Sequence, residues 1–218
     1  MKSMPFLLTL LLVSVGSVST VFGQSKFSVS TSFAPFYNYV RSEQRLILSD
    51  ENGNLVPYEL SARSTGRTIT PGLMIHYAFS PRWSVSTGIW ASYNYAARTR
   101  VRTSPPLEEF IVGSSRFRHF ESPLFINFRT SAKRLSPYFS IGALFEYPAA
   151  VQVEGFGRVR FGRRVEVAPM LSAGVDYRLT DRFRLTAQPT LIWRLPDSDV
   201  ESLISYRVGM LVQAVYGF

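Results

Sequence analysis

Histidine and cysteine limit the catalytic chemistry open to this chain. His76 and His119 are the only histidines among the 218 residues, and there is no cysteine. A serine hydrolase needs its general base within hydrogen-bond reach of the nucleophile. Ser122 follows His119 by three positions, so in an extended strand the two side chains would point to opposite faces. We therefore predict no catalytic, metal-binding or cofactor-binding residue, with a lipid-hydrolysing activity centred on His119 as the alternative.

Charged side chains also recur inside segments that otherwise alternate apolar and small residues. If these segments are strands that enclose one face, an unpaired charge on that face is costly, so opposite charges should pair. The sequence therefore predicts an enclosed network of salt bridges, and a small gated channel through that network is the alternative. The predicted members are Glu121, Arg129, Glu146, Glu166, Asp176, Arg178, Arg184, Arg194 and Arg207.

Arginine supplies most of the positive charge. The formal net charge is +9, from 21 Arg and 3 Lys against 15 acidic residues. Arginine forms planar, bidentate pairs with phosphate and carboxylate groups, so this basic composition indicates nucleic acid, an anionic membrane surface or internal ion pairs. The arginines are densest in two connecting regions, where they should form a basic face; a generic solvated surface is the alternative. The residues of this predicted face are Arg98, Arg100, Arg102, Arg116, Arg118, Arg158, Arg160, Arg163 and Arg164.

The first residues read as an export signal. Lys2 precedes an apolar run over 6–15, and small Gly23 offers a cleavage site before Gln24. This run is about ten residues, shorter than the ~20 that a spanning helix needs. We predict a cleaved signal peptide over 1–23 and one mature domain over 24–218, with an uncleaved anchor as the alternative. Export removes nucleic acid from the candidate partners.

From residue 26 onward the chain repeats one pattern with a period of two, which indicates β-strands with one apolar face. Three connections are short, at 80–82, 131–134 and 180–182, and four are longer, at 41–66, 98–116, 149–163 and 196–202. Within the first long connection, Leu46–Ser49 and 55–58 flank an Asn-Gly turn and predict a small hairpin. Strand alternation also continues through Ala97–Thr103. The eight predicted strands cover about 27–39, 69–79, 83–95, 120–128, 135–147, 165–179, 183–195 and 205–218.

Eight strands with short turns at one end and long loops at the other predict an all-β, up-and-down antiparallel transmembrane barrel. A soluble barrel or β-sandwich is the alternative. The non-apolar face carries mainly small residues and isolated charges, which suits the narrow interior of an eight-stranded barrel. Aromatic residues fall near both ends of the strands, as two membrane girdles would. Five prolines share the apolar face, at 35, 71, 137, 169 and 189, and predict local bulges.

The last strand is apolar on the face of Ala214 and Tyr216 and ends on the aromatic Phe218. Such a strand needs a partner on its edge, and the first strand, 26–40, is the predicted one. On these features the chain resembles the small eight-stranded bacterial outer-membrane barrels of the OmpX, OmpA-transmembrane-domain and PorT-like types. The resemblance implies an outer-membrane location with both termini in the periplasm. It also implies that Ala214, Tyr216 and Phe218 are read by the barrel assembly machinery.

The expected function is therefore that of a non-catalytic integral outer-membrane protein. Its narrow lumen would be closed by salt bridges, and its arginine-rich extracellular hairpins would bind lipopolysaccharide or a protein partner of the cell envelope, such as a secretion complex. The small gated channel and the lipid-modifying hydrolase are the alternatives.

Overall fold

The computed structural model describes residues 26–49, 55–104, 108–112, 117–147, 149–153, 157–161, 165–194 and 202–218. The predicted signal peptide lies outside these ranges. No helix among the described residues is long and apolar enough to cross a membrane. The strands are β1 (Phe27–Ser49), β2 (Leu55–Ala78), β3 (Trp83–Ser104), β4 (Glu108–Val112), β5 (Phe117–Arg129), β6 (Leu135–Glu146), β7 (Ala149–Val153), β8 (Gly157–Phe161), β9 (Glu166–Arg178), β10 (Phe183–Arg194) and β11 (Ser202–Gly217).

Eight long strands close into an antiparallel barrel, which confirms the predicted fold. Their order is β1-β2-β3-β5-β6-β9-β10-β11, and β11 returns to pair with β1. That last ladder runs from Ser28 opposite Gly217 to Glu43 opposite Ser202, as predicted for the first and last strands. β4 adds to the free side of β3, and β7 and β8 form a separate hairpin. Closure leaves the barrel wall without an open edge.

Each barrel strand places its two faces in different surroundings. Phe33, Ile89 and Ile141 are 48%, 64% and 60% exposed on the outer face, whereas inward-facing Trp90 and Leu144 are fully buried. An exposed apolar belt around a closed barrel is stable in lipid, where every backbone group is already paired within the wall. The apolar face therefore points outward on all eight strands, and the chain is a membrane-spanning barrel.

The first hairpin is much taller than the sequence suggested. β1 and β2 pair without interruption from Phe27–Tyr77 to Ser49–Leu55. The prediction of a connecting loop over 41–66 was therefore wrong, although the small hairpin predicted at its tip is confirmed. Outside the lipid, a strand needs no apolar face. The charged residues Arg41, Glu43 and Arg45 therefore interrupt the apolar alternation of the sequence, although the backbone continues as a regular strand.

A bulge in β3 changes which side chains face outward. Arg67 pairs with Tyr95, but Thr65 pairs with Arg98, so Ala96 and Ala97 together oppose one residue of β2. The alternation predicted through 97–103 does continue in β3, but the bulge reverses its two faces relative to the first part of the strand. Because the extra residue shifts the alternation by one, the register places Arg100 and Arg102 on the outer face of the wall.

The prolines interrupt hydrogen bonding without shifting register. The β1–β11 ladder lapses at Ala34 and Pro35 and resumes with the same alignment. Similar gaps occur between β2 and β3 at Pro71 and between β9 and β10 at Pro189. The predicted bulges at these three prolines are therefore absent. A proline lacks only its own N–H, so one side of the ladder loses a bond while pairing continues on either side.

Candidate functional site: the lumen and the arginine collar

A layer of large apolar side chains fills the middle of the lumen. Phe36, Trp90 and Phe125 are all buried, with ring centroids 6.4 Å apart for Phe36 and Trp90 and 6.2 Å for Trp90 and Phe125. The other large side chains of this cluster are Met74, Leu144, Met170, Ile192 and Leu211. We call these eight residues the apolar septum. The sequence pattern predicted mainly small residues and isolated charges on the inner face of the barrel, so this septum was not expected.

Glycines make room for the aromatic rings of the septum. Phe36 lies opposite Gly209, Trp90 opposite Gly72, and Phe125 opposite Gly142 on the neighbouring strands. A methyl group added to Gly72 would collide with the Trp90 ring, and one added to Gly209 would collide with Phe36. This pairing of a large with a small inward residue is the sequence signal that could have revealed the septum.

A connected ion network lies at the long-hairpin end of the lumen. Arg207 Nη1 donates to Glu121 Oε1 at 2.7 Å, and its Nη2 donates to Glu146. The same guanidinium lies over the Phe36 ring, 5.8 Å from its centroid, so the network rests on the septum. Arg194 also donates to Glu146 and lies 3.5 Å from Glu166 at the more exposed mouth. Five of the nine predicted lumen residues meet here.

The other four predicted lumen residues lie at the short-turn end. Arg129 Nε is 3.1 Å from Asp176 Oδ2. Arg178 and Arg184 lie opposite each other on β9 and β10. Neither has a carboxylate within 4.0 Å in the described part of the chain. The charges therefore form two separate groups, one at each end, with the septum between them.

Neither histidine forms a catalytic triad among the described residues. His76 Nε2 is 2.7 Å from Ser30 Oγ, a buried contact between β1 and β2 that the sequence analysis missed. His119 Nε2 is 2.7 Å from Glu121 Oε1, while Ser122 Oγ donates to the Gly88 carbonyl at 2.7 Å. Ser122 is thus engaged on the other side of the wall. The described residues also contain no group of three His, Asp or Glu side chains able to hold a metal ion.

Arginines crowd the outer face where the wall leaves the apolar belt. Arg63 lies over the Tyr39 ring at 5.3 Å, and Arg118 lies over the Tyr93 ring at 5.2 Å. Aromatic rings of this kind mark the border between lipid tails and headgroups. We call the exposed outer-face group at this level the arginine collar. Its members are Arg41, Arg63, Arg67, Arg100, Arg102 and Arg118.

Three collar arginines stand side by side across adjacent strands. Arg41 pairs in register with Arg63, and Arg63 pairs with Arg100. Like charges directly opposite each other destabilise a sheet unless a counterion lies between them. Arg41 also forms an ion pair with Glu43 at 2.6 Å. That hydrogen bond from Arg41 lowers the pKa of the Glu43 carboxyl below its ordinary value.

The collar overlaps only partly with the predicted basic face. Arg100, Arg102 and Arg118 belong to both. Arg41 and Arg63 were missed because 41–66 was taken for a loop, and Arg67 because it falls between that loop and the second predicted strand, which begins at 69. Arg98 lies in β3, and Arg158 and Arg160 lie in β8, where only the backbone is described. Arg116, Arg163 and Arg164 lie outside the described residues.

The predicted assembly residues share the outer face of β11. Ala214 pairs with Thr31, and Tyr216 pairs with Val29 of β1, both on the lipid side. The Phe218 ring meets the Tyr216 ring edge-on at 5.6 Å. This geometry leaves all three accessible at the rim, and their recognition during assembly stays a prediction.

These features define a class of protein. The chain has the fold of the small eight-stranded outer-membrane β-barrels, and that fold with its apolar belt points to the bacterial outer membrane. Among solved structures, Neisserial surface protein A aligns with 90% of this chain and 100% of its own, at 14% identity and a TM-score of 0.53. OprG of Pseudomonas aeruginosa aligns with 89% of this chain and 98% of its own, at 12% identity and a TM-score of 0.43. Ail of Yersinia pestis aligns with 86% of this chain and 97% of its own, at 15% identity and a TM-score of 0.43. No family model and no curated protein matches the sequence.

Proposed function

We propose that this protein is a non-catalytic outer-membrane barrel whose arginine collar binds the phosphate groups of lipopolysaccharide. The observation that carries the proposal is the row of Arg41, Arg63 and Arg100 on three neighbouring strands. Such a row concentrates guanidinium groups on one face of the wall, and guanidinium groups form strong, bidentate hydrogen bonds with phosphate. A phosphate offers several oxygens to the planar guanidinium forks, which matches arginine better than any other basic side chain.

The position of the collar favours a lipid over a freely diffusing anion. Its arginines occupy the outer face, which nearer the centre of the barrel is covered by exposed apolar side chains such as Ile89 and Ile75. A lipid whose tails pack against that belt would bring its headgroup to the level of Arg63 and Arg118, at the aromatic border. On the expected orientation, the long hairpins face outside, where the phosphates of lipopolysaccharide lie.

The test compares variants with matched arginines at opposite rims. Arg63→Gln combined with Arg100→Gln should weaken binding of lipid A to the barrel in nanodiscs by about tenfold or more, since each charge-assisted hydrogen bond contributes ~1.5–3 kcal/mol. Arg134→Gln is the control, because Arg134 lies 5.3 Å from the Tyr177 ring at the short-turn rim, with the same cation–π distance as Arg63.

Two further comparisons make the result decisive. Dephosphorylated lipid A should bind the wild-type barrel and the double variant equally, because the lost contacts are to phosphate. Affinity of the wild-type barrel should also fall as salt rises, as expected for exposed charges. If the double variant and the Arg134→Gln control bind phosphorylated lipid A alike, the proposal is wrong.

A further inference from the structure

A cavity of about 140 Å³ lies at the short-turn end of the lumen. It reaches from the turn residues Ser80–Arg82 to Tyr138 and Thr186 on the inner wall. Its volume is roughly ten times the ~10–15 Å³ that one water molecule requires. It lies on the opposite side of the apolar septum from the Glu121–Arg207 network, so it is a separate compartment with its own opening.

The charges around this cavity are unbalanced. Arg82, Arg129 and Arg184 line it, and Asp176 is the one carboxylate among its lining residues. Arg184 has no carboxylate within 4.0 Å in the described chain and faces Arg178 across the β9–β10 ladder. An excess of guanidinium groups in a partly enclosed cleft attracts an anion, because the low-dielectric walls focus the positive potential.

Hydrogen bonding in the cavity is incomplete as well. Asp176 is 3% exposed, and its Oδ2 faces Arg129, yet its Oδ1 has no hydrogen-bond partner among the described residues. The buried Arg129 Nε likewise lacks a well-aligned acceptor. A buried polar atom without a hydrogen-bond partner is unfavourable, so a molecule that supplies both an acceptor and a donor should bind here.

We propose that this short-turn cavity binds a small oxyanion that also carries a hydrogen-bond donor, as hydrogen phosphate and α-hydroxycarboxylates do. The anionic oxygens accept from Arg129 and Arg184, and the hydroxyl of the ligand donates to Asp176 Oδ1. His76, Ser84 and Tyr138 surround the remaining space. On the expected orientation the site opens to the periplasm. The proposal does not depend on the arginine collar, which lies at the other end of the barrel.

The test titrates the purified barrel in micelles and follows backbone amide signals of residues 80–84, 129, 176 and 184 by NMR. Inorganic phosphate and glycolate should give saturable shifts at these positions. Acetate, which is anionic but has no donor, should bind about tenfold more weakly, the effect of losing roughly one hydrogen bond to a charged group. Tetramethylammonium, a cation, should give no saturable shift.

Two variants separate the roles of the charged residues. Arg184→Gln should weaken phosphate and glycolate about tenfold, whereas Arg184→Lys should retain most of the affinity. Asp176→Asn should reduce the preference for glycolate over acetate, because the carboxylate that accepts from the hydroxyl is gone. Arg194→Gln, at the opposite mouth, is the control and should change nothing at these positions.

Two results would overturn the proposal. The first is the absence of saturable shifts with phosphate and glycolate at tens of millimolar, which would mean that the cavity holds only water. The second is equal affinity for acetate and glycolate, which would remove the role given to Asp176. A heat-modifiability gel establishes first that each variant is folded, so that loss of binding reports on the site.

Discussion

At the scale of single residues, Arg207 is the side chain on which the long-hairpin end of the lumen depends. It contacts two carboxylates, Glu121 and Glu146, which are 0% and 5% exposed. Removing one partner of a buried ionic group leaves the other charges uncompensated and typically costs ~3–5 kcal/mol. Arg207→Met should therefore lower the free energy of unfolding by about this amount, measured by urea titration of the barrel in micelles.

The interpretation of Arg207 can be checked by restoring charge balance. Adding Glu121→Gln and Glu146→Gln to Arg207→Met should recover most of the lost stability, because an uncharged cluster carries no unpaired ion. Arg184→Met is the matched control, since Arg184 also faces inward but has no carboxylate within 4.0 Å among the described residues. Equal losses of unfolding free energy for Arg207→Met and Arg184→Met would contradict the stabilising role given to the Arg207 ion network.

The ion pairs show how far a sequence can locate a site of this kind. The alternation of apolar and polar residues predicts which charges face inward, because the side-chain period of a strand is two. It does not predict which of these charges form ion pairs with each other. Arg207 and Glu121 are 86 positions apart and lie on β11 and β5, which are not neighbours in the wall. Their contact depends on how the strands tilt across the lumen, which is a property of barrel closure.

At the scale of the strand, the bulge in β3 decides the character of the collar. Without it, the outward positions would be Ala97, Thr99 and Val101, as the sequence pattern suggested. Nothing in Ala96-Ala97 signals a bulge, since neither residue is a glycine or a proline. The register is set by β2, whose outward Arg63 and inward Ser64 are already fixed by pairing with β1. This part of the site therefore follows from pairing between strands, not from local sequence.

The bulged register can be tested by disulfide formation, because the chain contains no cysteine. Ser64 pairs with Thr99, and Thr99 Oγ1 donates to Ser64 Oγ at 3.1 Å. The double variant Ser64→Cys with Thr99→Cys should therefore oxidise readily, giving a band of altered mobility and the mass loss of a disulfide.

A second cysteine pair distinguishes the two registers. In an unbulged ladder Ser64 would oppose Arg98, so Ser64→Cys with Arg98→Cys should cross-link only if the bulge were absent. In the observed register Ser64 pairs with Thr99, and Arg98 pairs with Thr65. Efficient cross-linking of this pair, with failure of the Ser64–Thr99 pair, would show that Arg100 and Arg102 face inward and that the collar is smaller than described.

At the scale of the whole molecule, the septum determines whether the barrel can be a channel. It separates a charged network at one end from a charged cavity at the other, and its aromatic rings are 0–3% exposed. Hydrophobic constrictions in a pore can block ion flow by excluding water. We therefore expect the wild-type barrel to pass no current in planar bilayers at any applied voltage, which opposes the alternative of a small gated channel.

Opening the septum should create the conductance that the wild-type barrel lacks. Replacing Phe36, Trp90 and Phe125 together with Ser leaves a polar gap, and water filling that gap would join the two aqueous ends. The variant will be less stable, since each large-to-small change in a core costs ~3–5 kcal/mol, so a heat-modifiability gel must first show that it is folded. Tyr138→Ser is the control, because Tyr138 is buried in the lumen but lies outside the septum. Current through the wild-type barrel, or none through the folded triple variant, would mean that some other layer of the lumen controls its permeability.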